Sequence, residues 1–278
     1  MRRLRALDLF CCGGGASMGL YRAGFDVTGI DHKPQPKYPF RFIQGDATNP
    51  PVDLAGFDFV WASPPCQAFT SLRNLQTTQH GRKEYPNLIP ATRALLVAAG
   101  TPYCIENVPG APLGDSGHLL MLCGSMFDLH VPDGSAELRR HRYFETSFPV
   151  SRRPQCKHGN RESLSVTGNG LDSNSDRWKK RKAQDQIRPC ISVVGYGSPR
   201  VWNRDHANSN RRAITITGAT PQTNEIRNLS RRTFSINDAR AAMGISWLPM
   251  KWLSQAIPPA YSAFIACEWL ATARTAVA

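Results

Sequence analysis

The sequence predicts an α/β fold: a mostly parallel sheet with a ligand site, joined to a smaller, irregular β-rich module. Three observations carry that reading. Over the first 150 residues, short apolar runs alternate with helical patterns, the order that builds a parallel sheet with ligands at the strands' carboxyl ends. The runs close on polar or Gly/Pro residues at those ends. From Ser151 to Arg232 the chain becomes rich in Arg, Lys, Ser, Asn and Gly and loses helical periodicity.

The elements follow in order. Residues 4–10 form a first strand with Asp8 inside it, running into Cys11-Cys12-Gly13-Gly14-Gly15. A helix over 16–23 stops at Gly24. Residues 25–30 form a second strand closed by Asp31, and 41–44 a third closed by Gly45-Asp46. Residues 57–62 form a fourth, closed by Ser63-Pro64-Pro65-Cys66. A helix over 88–99 has Gly100 as its C-cap, and 102–105 form a fifth strand closed by Glu106-Asn107. Within 151–232, three apolar runs each precede a glycine, at 164–168, 191–195 and 213–218, and read as strand-turn units. Ser235-Ile236-Asn237-Asp238 resembles a capping box that opens a helix. Residues 260–273 read as a last amphipathic helix, with Phe264, Ala266, Cys267, Leu270 and Ala271 among its apolar positions. The expected organisation is a catalytic domain at 1–150, a module at 151–232, and a segment at 233–278 that returns to the first domain.

Composition narrows the function. The 278 residues hold 34 Lys+Arg against 21 Asp+Glu, a net charge of +13. Such an excess concerns partners rather than fold, and nucleic acid is the commonest polyanion. Six Trp and twelve Phe argue against wholesale disorder. No apolar run is long enough to span a membrane, and the basic N-terminus lacks the apolar core of a signal peptide. Eight Cys without a CxxC pair read as reduced cytosolic thiols.

The chemistry-bearing residues sit at the strand ends. Glycine in the loop after the first strand lets the backbone approach a ligand. The fingerprint G-x-G-x-x-G is absent, which argues against a nicotinamide enzyme. Asp31 has the reach to bond a ribose diol and Asp46 an adenine amino group; three such features on successive strand ends point to a nucleoside cofactor. Two prolines before Cys66 hold its sulfur rigidly, as a nucleophile requires. Glu106, if desolvated, would carry a raised pKa and donate a proton or hydrogen bond. Arg139-Arg140-His141-Arg142 is suited to phosphate or a base edge.

Together these blocks resemble the DNA (cytosine-5) methyltransferases: Asp8-Leu-Phe-Cys-Cys-Gly-Gly-Gly15, Asp31, Gly45-Asp46, Ser63-Pro-Pro-Cys-Gln67, Glu106-Asn-Val108, Arg140-His-Arg142, Ala241-Ala-Met-Gly-Ile245 and Gln255-Ala-Ile-Pro258. They come in family order. The resemblance implies a Rossmann-like sheet dependent on S-adenosylmethionine and places a target-recognition module at 151–232. Phe10, Gly13, Gly14, Gly15, Asp31, Asp46, Pro64 and Gln255 would then bind the cofactor. Cys66 would attack carbon 6 of a cytosine flipped out of duplex DNA. Glu106 would hold and protonate ring nitrogen 3, Arg142 would contact the cytosine carbonyl, and Arg140 would orient the site. Arg177, Lys179, Lys180, Arg181 and Lys182 would meet the DNA backbone. The same machinery on RNA, or a non-catalytic DNA-binding relative, are the alternatives. The resemblance further implies a cytoplasmic monomer of a bacterial cell or phage-infected host, with no membrane or obligate protein partner.

The chain departs from the family pattern at three places. Cys12 stands where the family has glycine, Leu138 where it has glutamine, and Gln255 where it has asparagine. Cys156-Lys-His158 has the side chains of a metal site but no second pair at matching spacing, so no metal is expected.

Overall fold

The computed structural model describes residues 2–69, 77–78, 81–82, 85–115, 117–158, 162–167, 213–217 and 235–275. Its core is a seven-stranded sheet. β1 (Arg5–Leu9), β2 (Asp26–Asp31), β3 (Arg41–Gln44), β4 (Phe59–Ala62) and the later β7 (Tyr103–Asn107) run parallel. Between β4 and β7 lie a two-stranded ribbon of β5 (Thr77–Thr78) and β6 (Gly81–Arg82) and the helix α2 (Ile89–Ala99). β8 (His118–Leu122) and β10 (Arg142–Thr146) complete the sheet in the order β3-β2-β1-β4-β7-β10-β8. β10 runs antiparallel to both its neighbours.

The five expected strands are present within two residues of their predicted ends. β8 and β10 add to that expectation. β10 reads Arg-Tyr-Phe-Glu-Thr, and its charged members hid a strand whose residues are mostly buried. Glu145 is fully buried there because Arg93 of α2 grips both its oxygens, Nε to Oε1 and Nη2 to Oε2, each at 2.8 Å. Gly114 N donates to the same carboxylate at 2.6 Å. A buried carboxylate persists only when paired and hydrogen-bonded in this way.

A second, three-stranded parallel sheet has the order β12-β11-β9, with β9 (Ala136–Leu138), β11 (Glu162–Thr167) and β12 (Ala213–Thr217). Two of the three predicted strand units thus form strands, and the run at 191–195 lies outside the described residues. The edge strand β9 comes from upstream of Ser151. α3 (Ile236–Met243) and the short α4 (Met250–Leu253) pack on this sheet, where Ala239, Ala242, Met243, Leu248 and Leu253 meet Leu138 and Leu164. Ser235 forms the expected capping box with Asp238: Asp238 N donates to Ser235 Oγ, and Ser235 N to Asp238 Oδ2.

The last helix, α5 (Pro259–Thr275), returns to the main sheet beside α1 (Gly15–Arg22). Its buried face is Tyr261, Ser262, Ile265, Ala266 and Glu268, whereas Cys267 faces solvent. Tyr261, Ile265 and Ala266 join the core formed by Phe25, Phe59, Trp61 and Phe144. The two helices touch at Gly19, where an added Cβ would overlap Ser262 Oγ and the Pro259 carbonyl. Ser262 Oγ donates to Ala16 O at 2.8 Å. Close approach, not a turn, is what Gly19 serves. Gly19→Ala is expected to lower stability by about 1–3 kcal/mol, the usual cost of overpacking, with the shift read from urea unfolding curves.

Candidate active site

The site forms where the carboxyl ends of β1, β2, β4 and β7 meet the start of β10. After β4 the chain enters Ser63-Pro64-Pro65-Cys66. Each proline fixes its own φ and lacks an N–H to satisfy. Three bonds pin this turn: Ser63 N to Leu9 O at 3.1 Å, Trp61 Nε1 to Ser63 Oγ at 2.9 Å, and Asn107 Nδ2 to Pro64 O at 2.9 Å. Cys66 is left half-buried at the tip. Asn107 was read only as a strand-end residue; the structure makes it the clamp on the cysteine turn.

Glu106 is the next-to-last residue of β7 and is buried. Arg142 opens β10 and reaches across, its Nε 3.2 Å from Glu106 Oε1. Arg142 Nη1 donates to His141 O at 2.8 Å. Burial pushes the Glu106 carboxyl above its ordinary pKa, opposed by Arg142, a hydrogen bond with Ser63, and Arg140. Burial of a carboxyl disfavours its charged form, and the Arg142 pair favours it. Burial likewise raises the Cys66 thiol; Arg142 and Arg140 pull it down and Glu106 pushes it up. The four residues expected from the sequence, Cys66, Glu106, Arg140 and Arg142, therefore act on one another in one place.

Arg140 is buried and turned toward the protein. Its Nη2 donates to Ser254 O at 2.8 Å and to Ala256 O at 3.1 Å, and its own carbonyl accepts from Tyr261 Oη at 2.6 Å. Gln255 lies between those two carbonyls and is exposed. The arginine positions the turn and the C-terminal segment.

The loop after β1 is strained. Phe10 (φ 60°), Cys12 (φ 43°) and Gly14 (φ 81°) occupy the left-handed region, which glycine enters without penalty and other residues do not. Cys12 holds this geometry by donating its N–H to Asp31 Oδ2 at 3.1 Å, while Lys33 N donates to Oδ1 at 3.0 Å. Gly13 and Gly15 face protein: a Cβ on Gly13 would lie 2.6 Å from Leu248 Cδ2, and one on Gly15 would overlap Ile257 O. Trp247 Nε1 also donates to Gly13 O at 2.9 Å. These two glycines thus admit the C-terminal segment. Asp46 is exposed, and its Oδ1 accepts from Thr48 N and Oγ1, each at 2.8 Å, which lowers its pKa. Leu138 is a buried core residue of β9. Arg177, Lys179, Lys180, Arg181 and Lys182 lie outside the described residues. Two open surface depressions, beside Trp247 and beside Phe264, contain none of the site residues.

The donor set fits S-adenosylmethionine. Asp31 and Asp46 carry carboxylates at the ends of the neighbouring strands β2 and β3, and Phe10 follows β1 with a half-buried side chain. Carboxylates also suit a cationic sulfonium.

Asp8 lies just below this loop, fully buried. Ser17 Oγ donates to its Oδ2, and its Oδ1 has no partner among the described residues. Burial, then the charge of Asp31, raises its pKa to about 7. Between pH ~4 and ~7 the folded chain therefore holds a proton that the unfolded chain has lost, so stability falls as pH rises, by up to about 1.4 kcal/mol per pH unit. Asp8→Asn should remove this fall, a difference measurable by urea unfolding at pH 4.5 and 7.5.

Known proteins share both sequence and fold with this chain. The sequence model described as C-5 cytosine-specific DNA methylase matches residues 4–127. No curated protein matches the sequence significantly. Among solved structures, the methyltransferase EhMeth of Entamoeba histolytica superimposes with a TM-score of 0.50 at 12% identity, covering 96% of this chain and 98% of that one. A mutant of Spodoptera frugiperda DNMT2 superimposes with a TM-score of 0.50 at 15% identity, covering 95% of this chain and 99% of that one. At such identities the likeness speaks for the fold, a Rossmann-like methyltransferase sheet. The sequence match, over residues 4–127, is a likeness to the C-5 cytosine-specific DNA methylases.

Proposed function

We propose that the protein methylates carbon 5 of a cytosine in duplex DNA through a covalent adduct on Cys66. The observation that supports this reading is the Cys66–Glu106–Arg142 cluster: a fixed thiol beside a buried carboxyl that is ion-paired to arginine. The target base must leave the helix to reach it.

Cys66 gives up its proton to solvent and its sulfur bonds to carbon 6 of the ring, opening the 5,6 double bond. Glu106, held toward its neutral form, donates to ring nitrogen 3 as electrons move into the ring. Arg142 stays paired with Glu106 and faces the cytosine carbonyl. The charge gathered at carbon 5 then makes that atom a nucleophile. S-adenosylmethionine supplies an electrophilic methyl group on a sulfonium. Phe10, Asp31, Asp46, Pro64 and Gln255 would hold it, with the Gly13–Gly15 loop between them and the C-terminal segment. Loss of the carbon 5 proton to a base expels the Cys66 sulfur and restores the double bond.

Four experiments test this. Cys66→Ala should lose methyl transfer to duplex DNA by on the order of a thousandfold or more, with radiolabelled methyl incorporation as the readout; full activity would defeat the adduct mechanism. DNA carrying 5-fluorocytosine should form a denaturant-stable complex with the wild type and none with Cys66→Ala, because fluorine cannot leave as a proton does. Competition between tRNA and duplex DNA separates an RNA substrate from a DNA one. Binding of duplex should fall log-linearly with salt, by a slope of about −0.9 per phosphate contacted. A flat response in filter binding would count against DNA.

A further inference from the structure

Behind the arginine turn lies a second cluster with no part in the chemistry above. Cys123 follows β8 and is fully buried. His141 sits between Arg140 and Arg142. Cys156 and His158 are two residues apart in a stretch that is neither helix nor strand. The four ligand atoms all lie within 4.8 Å of one another.

The individual separations are close to those of a coordination shell. His158 Nε2 is 2.9 Å from Cys156 Sγ and 3.4 Å from Cys123 Sγ, and His141 Nε2 is 3.3 Å from Cys156 Sγ. The two imidazoles meet edge-on, with centroids 5.1 Å apart. Tetrahedral zinc, with Zn–S about 2.3 Å and Zn–N about 2.0 Å, spaces its ligands by about 3.3–3.8 Å. Two thiols and two imidazoles select zinc over magnesium or calcium, which take oxygen. Ser125 Oγ lies 3.6 Å from Cys156 Sγ, placed to donate to a metal-bound thiolate. Four protein ligands leave no open position, the mark of a structural rather than catalytic site.

We propose that Cys123, His141, Cys156 and His158 bind one zinc ion as a closed structural site. On binding, the Sγ protons of Cys123 and Cys156 pass to solvent and each sulfur ligates as thiolate; no electron is transferred. The ion clips three stretches together: the end of β8, the turn bearing Arg140 and Arg142, and the segment 151–158. Glu268 pins the other end of that segment, accepting from Ser151 N at 2.9 Å and Arg152 N at 3.0 Å. The expectation of no metal rested on spacing along the chain; Cys123 and His141 supply the missing pair through tertiary structure.

The test is the metal content of the full chain, purified under reducing conditions and measured by plasma mass spectrometry, and it is independent of methyl transfer. Wild type and Cys267→Ser should each carry about one zinc per chain, and Cys156→Ser and His158→Asn roughly tenfold less. Metal-stripped wild type should take up cobalt(II) with the thiolate charge-transfer and visible bands of tetrahedral coordination. Wild type that holds no zinc and gives no such spectrum would overturn the proposal, as would full zinc retention by Cys156→Ser or a Cys123–Cys156 disulfide in the purified protein. Should the variants fail to fold, wild-type zinc content and the cobalt spectrum decide by themselves.

Discussion

Arg140 ties the C-terminal segment to the centre of the molecule. Its guanidinium holds the carbonyls of Ser254 and Ala256, and its own carbonyl is held by Tyr261. Turning the guanidinium away would break its bonds to both carbonyls, each at a cost of about 1–3 kcal/mol. The C-terminal segment is thereby fixed against the arginine turn. From there its backbone runs on to Gly15, and α5 to Gly19. The loop after β1, the arginine turn and the last helix are thus one packed unit, although more than a hundred residues separate their sequences.

Much of the site was legible because its residues end strands. A strand's length and the turn chemistry after it can be read locally, so Asp31, Cys66 and Glu106 could be placed before any tertiary contact was known. β10 was not legible in the same way. Its arginine and glutamate look like a solvated charge run until Glu106 and Arg93 appear opposite them. The glycines were half-legible: a tight loop was expected after β1, but Gly13 and Gly15 yield space to Leu248 and Ile257. Cys123 and His141 carry no local signal at all, since their neighbours in space lie at 156 and 158.

The departures from the family pattern have physical counterparts. Cys12 keeps a left-handed backbone where glycine would be free, and Asp31 holds its amide in that conformation. Both oxygens of that carboxylate accept a backbone N–H, from Cys12 and from Lys33. Leu138 replaces an amide with an apolar side chain in a wholly buried position, where it packs against α3 and Leu164. An unpartnered amide there would be costly. Gln255 is exposed and can lengthen without disturbing the core.

The chain passes from β9 in one sheet to β10 in the other through only Arg139, Arg140 and His141. A link of three residues extends to at most about 10–14 Å between its flanking residues, and its middle member is bolted to the C-terminal segment. It has no slack. The two sheets behave as plates joined by a short strap rather than as bodies on a flexible tether. A load on the second sheet would reach Arg142 as strain in that strap, with no soft loop to absorb it.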